Sequence, residues 1–271
     1  MRKARPTKSI SLTSGKGGVG KTTLTCNLAY ELARRGRRVL IFDGDLGLAN
    51  VDLFFNVKPR GHILEVIQGK KSLADIMTPL LPGADLISGG SGVTEFNRIT
   101  PSARRALVDA VSLFEYRYDY LLIDTAPGIS DQVLFLNAAA QEILMVITPD
   151  ASSLADSYAL IKVLHQQFRE NKFAVVCNQV RDEMEGFSLF QKFAEVAHRF
   201  LFLSLDYWGS VATDPLFRKS AAGQRLAMKH DHNINIRQTF EQLCDRIEKE
   251  AELSPQKSGL QFFWEQVVGV A

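Results

Sequence analysis

The run Gly15-Lys16-Gly17-Gly18-Val19-Gly20-Lys21-Thr22 fits the phosphate-binding pattern G-x-x-x-x-G-K-[ST]. Glycines at this spacing let consecutive backbone N–H groups turn inward around phosphate oxygens. A helix that follows aims its positive end at the same charge. Lys21 is placed to reach the β- and γ-phosphates, and the Thr22 hydroxyl to ligate Mg2+. Two further segments supply carboxylates. In Asp43-Gly44-Asp45 the acids lie two apart at the end of an apolar run, so both project to one side, toward bound phosphates. A carboxylate there can orient an attacking water, and hydrolysis gains mainly from such positioning. Tyr120-Leu121-Leu122-Ile123-Asp124 is a buried-strand pattern ending in an acid, and Asp124 suits Mg2+ held through its water shell. Beyond it, Gly128 lies where a backbone N–H could sense a γ-phosphate. Thr22, Asp43 and Asp124 are therefore the candidate metal residues. Asn178-Gln179-Val180-Arg181 follows a later strand and is not the N-K-x-D with which GTPases read guanine, which disfavours GTP.

Such loops need strands to carry them. Strand-like runs at 10–13, 39–42, 85–88, 120–124, 143–148, 173–177 and 202–205 alternate with helical stretches such as 22–35, 101–116, 152–168 and 188–200. The alternation predicts an α/β fold, a mostly parallel β-sheet flanked by helices on both faces. Phosphate loops belong at the carboxyl ends of its strands. Residues 233–250 read as a charged surface helix, 253–258 as a polar, proline-interrupted linker, and 259–271 as an apolar tail. The expected division is an ATPase domain over 1–252 and a linker with an amphipathic C-terminal helix over 253–271.

Composition excludes several classes. A net charge of +2 on 271 residues gives no global field for nucleic acid. No apolar run reaches membrane-spanning length, and the basic start Met1-Arg2-Lys3-Ala4-Arg5 lacks the apolar stretch of a signal peptide. Cys26, Cys177 and Cys244 have no C-x-x-C spacing and read as reduced, buried thiols.

The segment from Lys16 to Thr23 resembles the deviant Walker A motif of the MinD/ParA family of ATPases. The resemblance implies ATP and Mg2+ as cofactors, bound by Gly15, Lys16, Gly17, Gly18, Val19, Gly20, Lys21, Thr22 and Thr23. It also implies that Lys16 crosses a dimer interface to the nucleotide of the partner subunit, hence an ATP-dependent homodimer. Asp45 takes the water-orienting role, so that Lys16, Lys21 and Asp45 are the catalytic candidates. Asp124 to Gly128 becomes the switch II segment, and Asn178 meets the adenine edge.

Residues 45–52, 128–131, 148–162 and 178–186 are similar to the flagellar branch of that family, the FlhG/FleN-type regulators of flagellar number and placement. The branch implies flagellar partners: an FlhF-type GTPase, the C-ring or a transcriptional regulator. Many of its members carry an N-terminal D-Q-A-x-x-L-R motif that activates the GTPase. It is absent here, where 1–8 precede the first expected strand, which puts FlhF stimulation in doubt.

On a helix, Leu260, Phe263, Trp264, Val267, Val268 and Ala271 form one face. A Phe-Trp pair after a flexible linker suits reversible binding at the inner face of the cell membrane. The segment lacks Lys and Arg, however, and a helix docked in a groove of its own domain or dimer is the alternative. Two other functions compete with the membrane switch. A ParA-like DNA-partition ATPase would need a local basic surface, for which Arg34, Arg35, Arg37 and Arg38 are the candidates. An iron–sulfur carrier on the same fold would need cysteines able to meet across a dimer.

Overall fold

Short runs rich in Val, Leu and Ile, buried along their whole length, form the middle of the molecule, as strands covered on both faces must. The computed structural model describes residues 6–45, 50–90, 109–111, 113, 114, 116–223, 225–229, 234–253 and 263. Along these residues the elements are β1 (Lys8–Thr13), α1 (Lys21–Arg34), β2 (Val39–Gly44), α2 (Val51–Phe55), α3 (Ile63–Ile67), α4 (Leu73–Ile76), β3 (Thr78–Leu81) and β4 (Ala84–Ser88). They continue with β5 (Tyr120–Thr125), α5 (Asp131–Ala139), β6 (Glu142–Ile147), α6 (Ala151–Phe168), β7 (Phe173–Val180), α7 (Glu183–Leu201), β8 (Leu205–Ala212), α8 (Pro215–Ala222) and α9 (Ile234–Leu253).

The strands form one sheet in the order β3-β4-β2-β5-β1-β6-β7-β8, parallel except for the β3–β4 pair. β1 lies between β5 and β6, with Lys8 opposite Tyr120 and Ile10 opposite Glu142. Chain order reverses around β1, and the carboxyl-end crevice beside such a strand is where α/β sheets bind ligands. Alternate residues feed opposite layers. Ile10, Leu12, Leu122, Leu144 and Val176 pack under α1 and α9. Leu121 and Ile123 face a cluster shared with α3, α4 and α5, while Met145, Ile147 and Val175 pack under α6 and α7.

A fully buried polar knot crosses this second layer. Ser11 Oγ donates to Asn137 Oδ1 at 2.7 Å, and Asn137 Nδ2 donates to Thr13 Oγ1 at 3.0 Å and Val133 O at 2.7 Å. Thr125 Oγ1 donates to Leu12 O at 3.0 Å. The knot joins α5 to β1 and β5, the two strands that end in the candidate site.

Three sequence expectations change. Residues 202–204 are not a strand: Phe202 closes α7 in a left-handed conformation with φ 56°, and the strand runs over Leu205–Ala212, sharing only Leu205 with the expected run. Thr78–Leu81, an antiparallel edge strand containing Pro79, had no sequence signal. The arginine cluster is not a free basic surface. Arg34 pairs with Glu31 and Glu241, Arg35 with Glu31, Asp245 and Glu248, and Arg37 with Glu248. Arg38 lies 3.9 Å from Asp119. These pairs fasten the end of α1 to α9, which removes the feature that had suggested DNA.

Of the tail, only Phe263 lies within the described residues. Its side chain is fully buried in the cluster that contains Leu40, Phe42, Ile63, Ile76 and Leu136. Leu260, Trp264, Val267, Val268 and Ala271 lie outside the described residues, as does most of the expected helix at 101–116.

Candidate nucleotide site

Every nucleotide-site residue expected from the sequence lies on a loop or element end at the carboxyl edge of the sheet. The loop after β1 turns through Gly18 and Gly20, at φ 78° and 93°, conformations that side-chain-bearing residues rarely adopt. A Cβ on Gly18 would meet nothing within 4 Å, so the concave face of the loop is open. Gly15 is needed for closeness instead. A Cβ there would come within 2.1 Å of the Asp156 carbonyl carbon in α6, and its N–H donates to Ser157 Oγ at 3.4 Å.

The two lysines point to different neighbours. Lys21 is buried and donates to Ser14 Oγ at 2.8 Å. Ser14 Oγ in turn donates to Lys16 O at 2.7 Å. Burial lowers the Lys21 pKa, while Asp124 and Asp45 counter this by favouring the charged form. Lys16 reaches outward and pairs with Asp150, the residue that caps α6 by accepting from Ser152 N. This hydrogen bond to Lys16 holds the Asp150 carboxyl down at about 2.

Two acids meet here, and a third lies near enough to feel their charge. Asp43 and Asp124 are register partners on β2 and β5. Asp43 is buried and accepts from the N–H groups of Asp45, Asn50 and Val51 at 3.2, 3.0 and 3.1 Å, so it shapes the loop that carries Asp45. Burial, then the charge of Asp124, raises its pKa well above the carboxylate range. Burial also raises Asp124, against the opposing hydrogen bond from Thr22 and the charge of Lys21. Asp45 is near enough to influence both Lys21 and Asp124. This is a fitting reception for Mg2+: a Thr22 hydroxyl and a buried carboxyl already in contact, with a second carboxyl alongside. The cation would supply charge neutralisation for the phosphates.

Switch II touches the loop directly. Gly128, at φ 95°, donates its N–H to Ser14 O at 3.0 Å, and Pro127 lies 3.6 Å from a Cβ built on Gly17. A γ-phosphate would compete with Ser14 for that donor. Asn178 Nδ2 donates to Val19 O at 2.7 Å, and a Cβ on Gly20 would meet that amide at 2.4 Å. Asn178 thus braces the phosphate loop with its amide nitrogen, and its Oδ1 is the atom suited to accept from an adenine amine. Thr23 sits in the first turn of α1, and its carbonyl accepts from Asn27.

Sequence reasoning missed Ser14, Asp150, Ser157 and Gln179. The last holds φ 59° and donates from Nε2 to Gly18 O at 3.1 Å. Its position next to Asn178 was the one available clue. The cysteines take no part. Cys26, Cys177 and Cys244 are buried, and burial pushes each thiol pKa up, that of Cys177 to about 12, which makes them poor nucleophiles and ligands. No cluster of three or more His, Cys, Asp or Glu able to hold a metal occurs among the described residues.

A sequence-family model, ParA, described as an NUBPL iron-transfer P-loop NTPase, matches residues 5–248. The chain belongs to the ParA/MinD family of P-loop ATPases. This ParA/MinD ATPase is 34% identical over 268 residues to the antiactivator FleN of Pseudomonas aeruginosa, covering 99% of this chain and 96% of FleN. It is 32% identical over 268 residues to the flagellum site-determining protein YlxH of Helicobacter pylori, covering 97% and 90%. Among solved structures it resembles the septum site-determining protein MinD of Pyrococcus horikoshii, complexed with Mg-ADP. That match has a TM-score of 0.71 at 25% identity and covers 92% of this ATPase and 99% of MinD.

Proposed function

We propose that this ATPase is a nucleotide-dependent dimerisation switch that hydrolyses ATP slowly, cycles between cytosol and the inner face of the cell membrane, and regulates flagellar number or placement. Kinship with FleN and YlxH supports the flagellar role. The observation that carries the switch is the division between the two lysines. Lys21 is turned into its own phosphate loop, whereas Lys16 sits at the surface against Asp150. A surface ion pair contributes at most about 1 kcal/mol, so Lys16 can exchange Asp150 for phosphate on a second subunit. In this scheme residues 1–252 are the ATPase domain. Lys21, Thr22 and the loop N–H groups hold ATP, Thr22, Asp43 and Asp124 serve Mg2+, Asp45 orients water, and Asn178 meets adenine.

Residues 253–271 form the linker and membrane-binding tail. Membrane residence requires Phe263 to leave its cluster, and burial of one such side chain is worth about 1.5–3 kcal/mol. Dimerisation offsets that cost by presenting two tails at once. Sedimentation velocity with ATP or ADP tests the core of the scheme. Lys21→Ala loses nucleotide, Lys16→Ala keeps nucleotide and stays monomeric, and Asp45→Ala accumulates as an ATP dimer that fails to turn over. An Asp45→Ala protein with normal hydrolysis sinks the assignment. Co-sedimentation of that variant with anionic liposomes, with ATP against ADP, tests the membrane step.

A further inference from the structure

On the other side of β7 from β6, the β8 edge of the sheet carries a second feature. Among the described residues β8 pairs only with β7, so its outer side presents a row of main-chain donors and acceptors. A cleft of about 210 Å3 opens there, lined by Glu183, Tyr207, Trp208, Ser210, Gln242 and Leu243 among others. Tyr207 packs against Phe187 and Phe190 of α7, whereas Trp208 packs in the layer of α9, so the cleft straddles the edge of the sheet. The register jumps from Tyr207–Val175 to Gly209–Val176, which leaves Trp208 as the extra residue of a bulge. The Trp208 indole N–H is buried without a hydrogen-bond partner among the described residues, although its ring forms part of the cleft wall. An unsatisfied buried donor of this kind costs about 1–3 kcal/mol.

We propose that this cleft binds an extended segment of a partner protein, which adds to β8 as a ninth strand and carries a basic and an apolar residue two positions apart. Shape decides for a slim segment. The walls are α7 on one side and α9 on the other, and a second copy would bring the same two walls to its own β8 edge, whereas a single extended segment brings none.

Spacing and charge decide its sequence. α7 runs antiparallel to β8, since Gly186 lies against Ser210 and Phe190 against Tyr207. Glu183, the cleft's one charged lining residue, and the half-exposed Phe187 stand one helical turn apart, about 6 Å along the axis. Residues i and i+2 of a strand share a face and lie about 6.6 Å apart, so one can meet Glu183 and the other Phe187.

The inference is independent of the ATPase cycle. The probes are two blocked pentapeptides, Thr-Lys-Thr-Leu-Thr and Thr-Leu-Thr-Lys-Thr, which cover both strand directions, and their Glu-for-Lys counterparts. Amide hydrogen exchange over 205–212 in the full chain is the readout. One lysine peptide should slow exchange there about tenfold at saturation, the behaviour of newly paired strand amides. Its glutamate counterpart should have little effect. Glu183→Lys should reverse this preference while leaving ATP turnover unchanged. The idea is overturned if no peptide protects the strand, if protection ignores the charge at position 183, or if protection rises with protein concentration alone, which would mark a second copy as the occupant.

Discussion

Asp43 and Asp124 face one another on neighbouring strands, and burial makes both reluctant to ionise. Asp43 holds its proton to about pH 8 in the folded chain. A group with a raised folded-state pKa contributes stability that is fully present below its unfolded pKa and is lost as pH rises through the folded one. The Mg2+-free protein is therefore expected to lose stability between the ordinary carboxylate range and about pH 8. Asp43→Asn should flatten that decline while weakening the Mg2+ requirement of nucleotide binding. Thermal melts across this window, with and without Mg2+, check both. A steeper decline in the variant contradicts the assignment. In the proposed dimer, Asp150 would compete for Lys16 with phosphate on the second subunit.

α5 is held to the site by polar atoms as well as by apolar packing. Asn137 ties it to Ser11 and Thr13 of β1, and Thr125 ties β5 to the same strand. Asn137→Ala removes the near acceptor of the buried Ser11 hydroxyl, which costs about 1–3 kcal/mol when no water replaces it. Urea unfolding should show that loss. An alanine variant as stable as the parent would mean that the knot contributes nothing.

This knot also shows where sequence reading ended. The phosphate loop, Asp43, Asp45, Asp124 and the alternating elements were legible because each is a local pattern with a fixed spacing. Ser11, Asn137, Asp150 and Gln179 gain their roles only when strands distant in the chain come together. β8 was misplaced because Phe202 and Leu203 extend the apolar signal of α7, while the strand itself is interrupted by Asp206, Gly209 and Ser210. β3 was missed because Pro79 normally argues against a strand, and an edge is the place that tolerates it.

At the scale of the whole molecule, two helices distant in the chain, α1 and α9, are fastened to each other. Glu31, fully buried, binds Arg34 and Arg35, which reach Glu241, Asp245 and Glu248 of α9. The helix that begins at the phosphate loop is thereby coupled to the helix that leads into the tail. Phe263 adds a hydrophobic anchor beyond it. Phe263→Ala should cost about 3–5 kcal/mol if the anchor closes the core in solution, the usual range for removing a buried phenylalanine. A calorimetric scan in ATP-free buffer measures it, and an unchanged melting temperature would show that the core closes without the anchor.

The position of β1 has a consequence for synthesis. It is the first strand made, yet its two neighbours, β5 and β6, lie roughly 110 to 130 residues further along, the kind of distant pairing that slows folding. At about 5–20 residues per second, the phosphate loop waits several seconds or more on the ribosome before a sheet exists to hold it. A nascent chain that ends before β6 lacks one of the two neighbours that flank β1, so the loop is expected to gain its nucleotide-binding shape only late in synthesis.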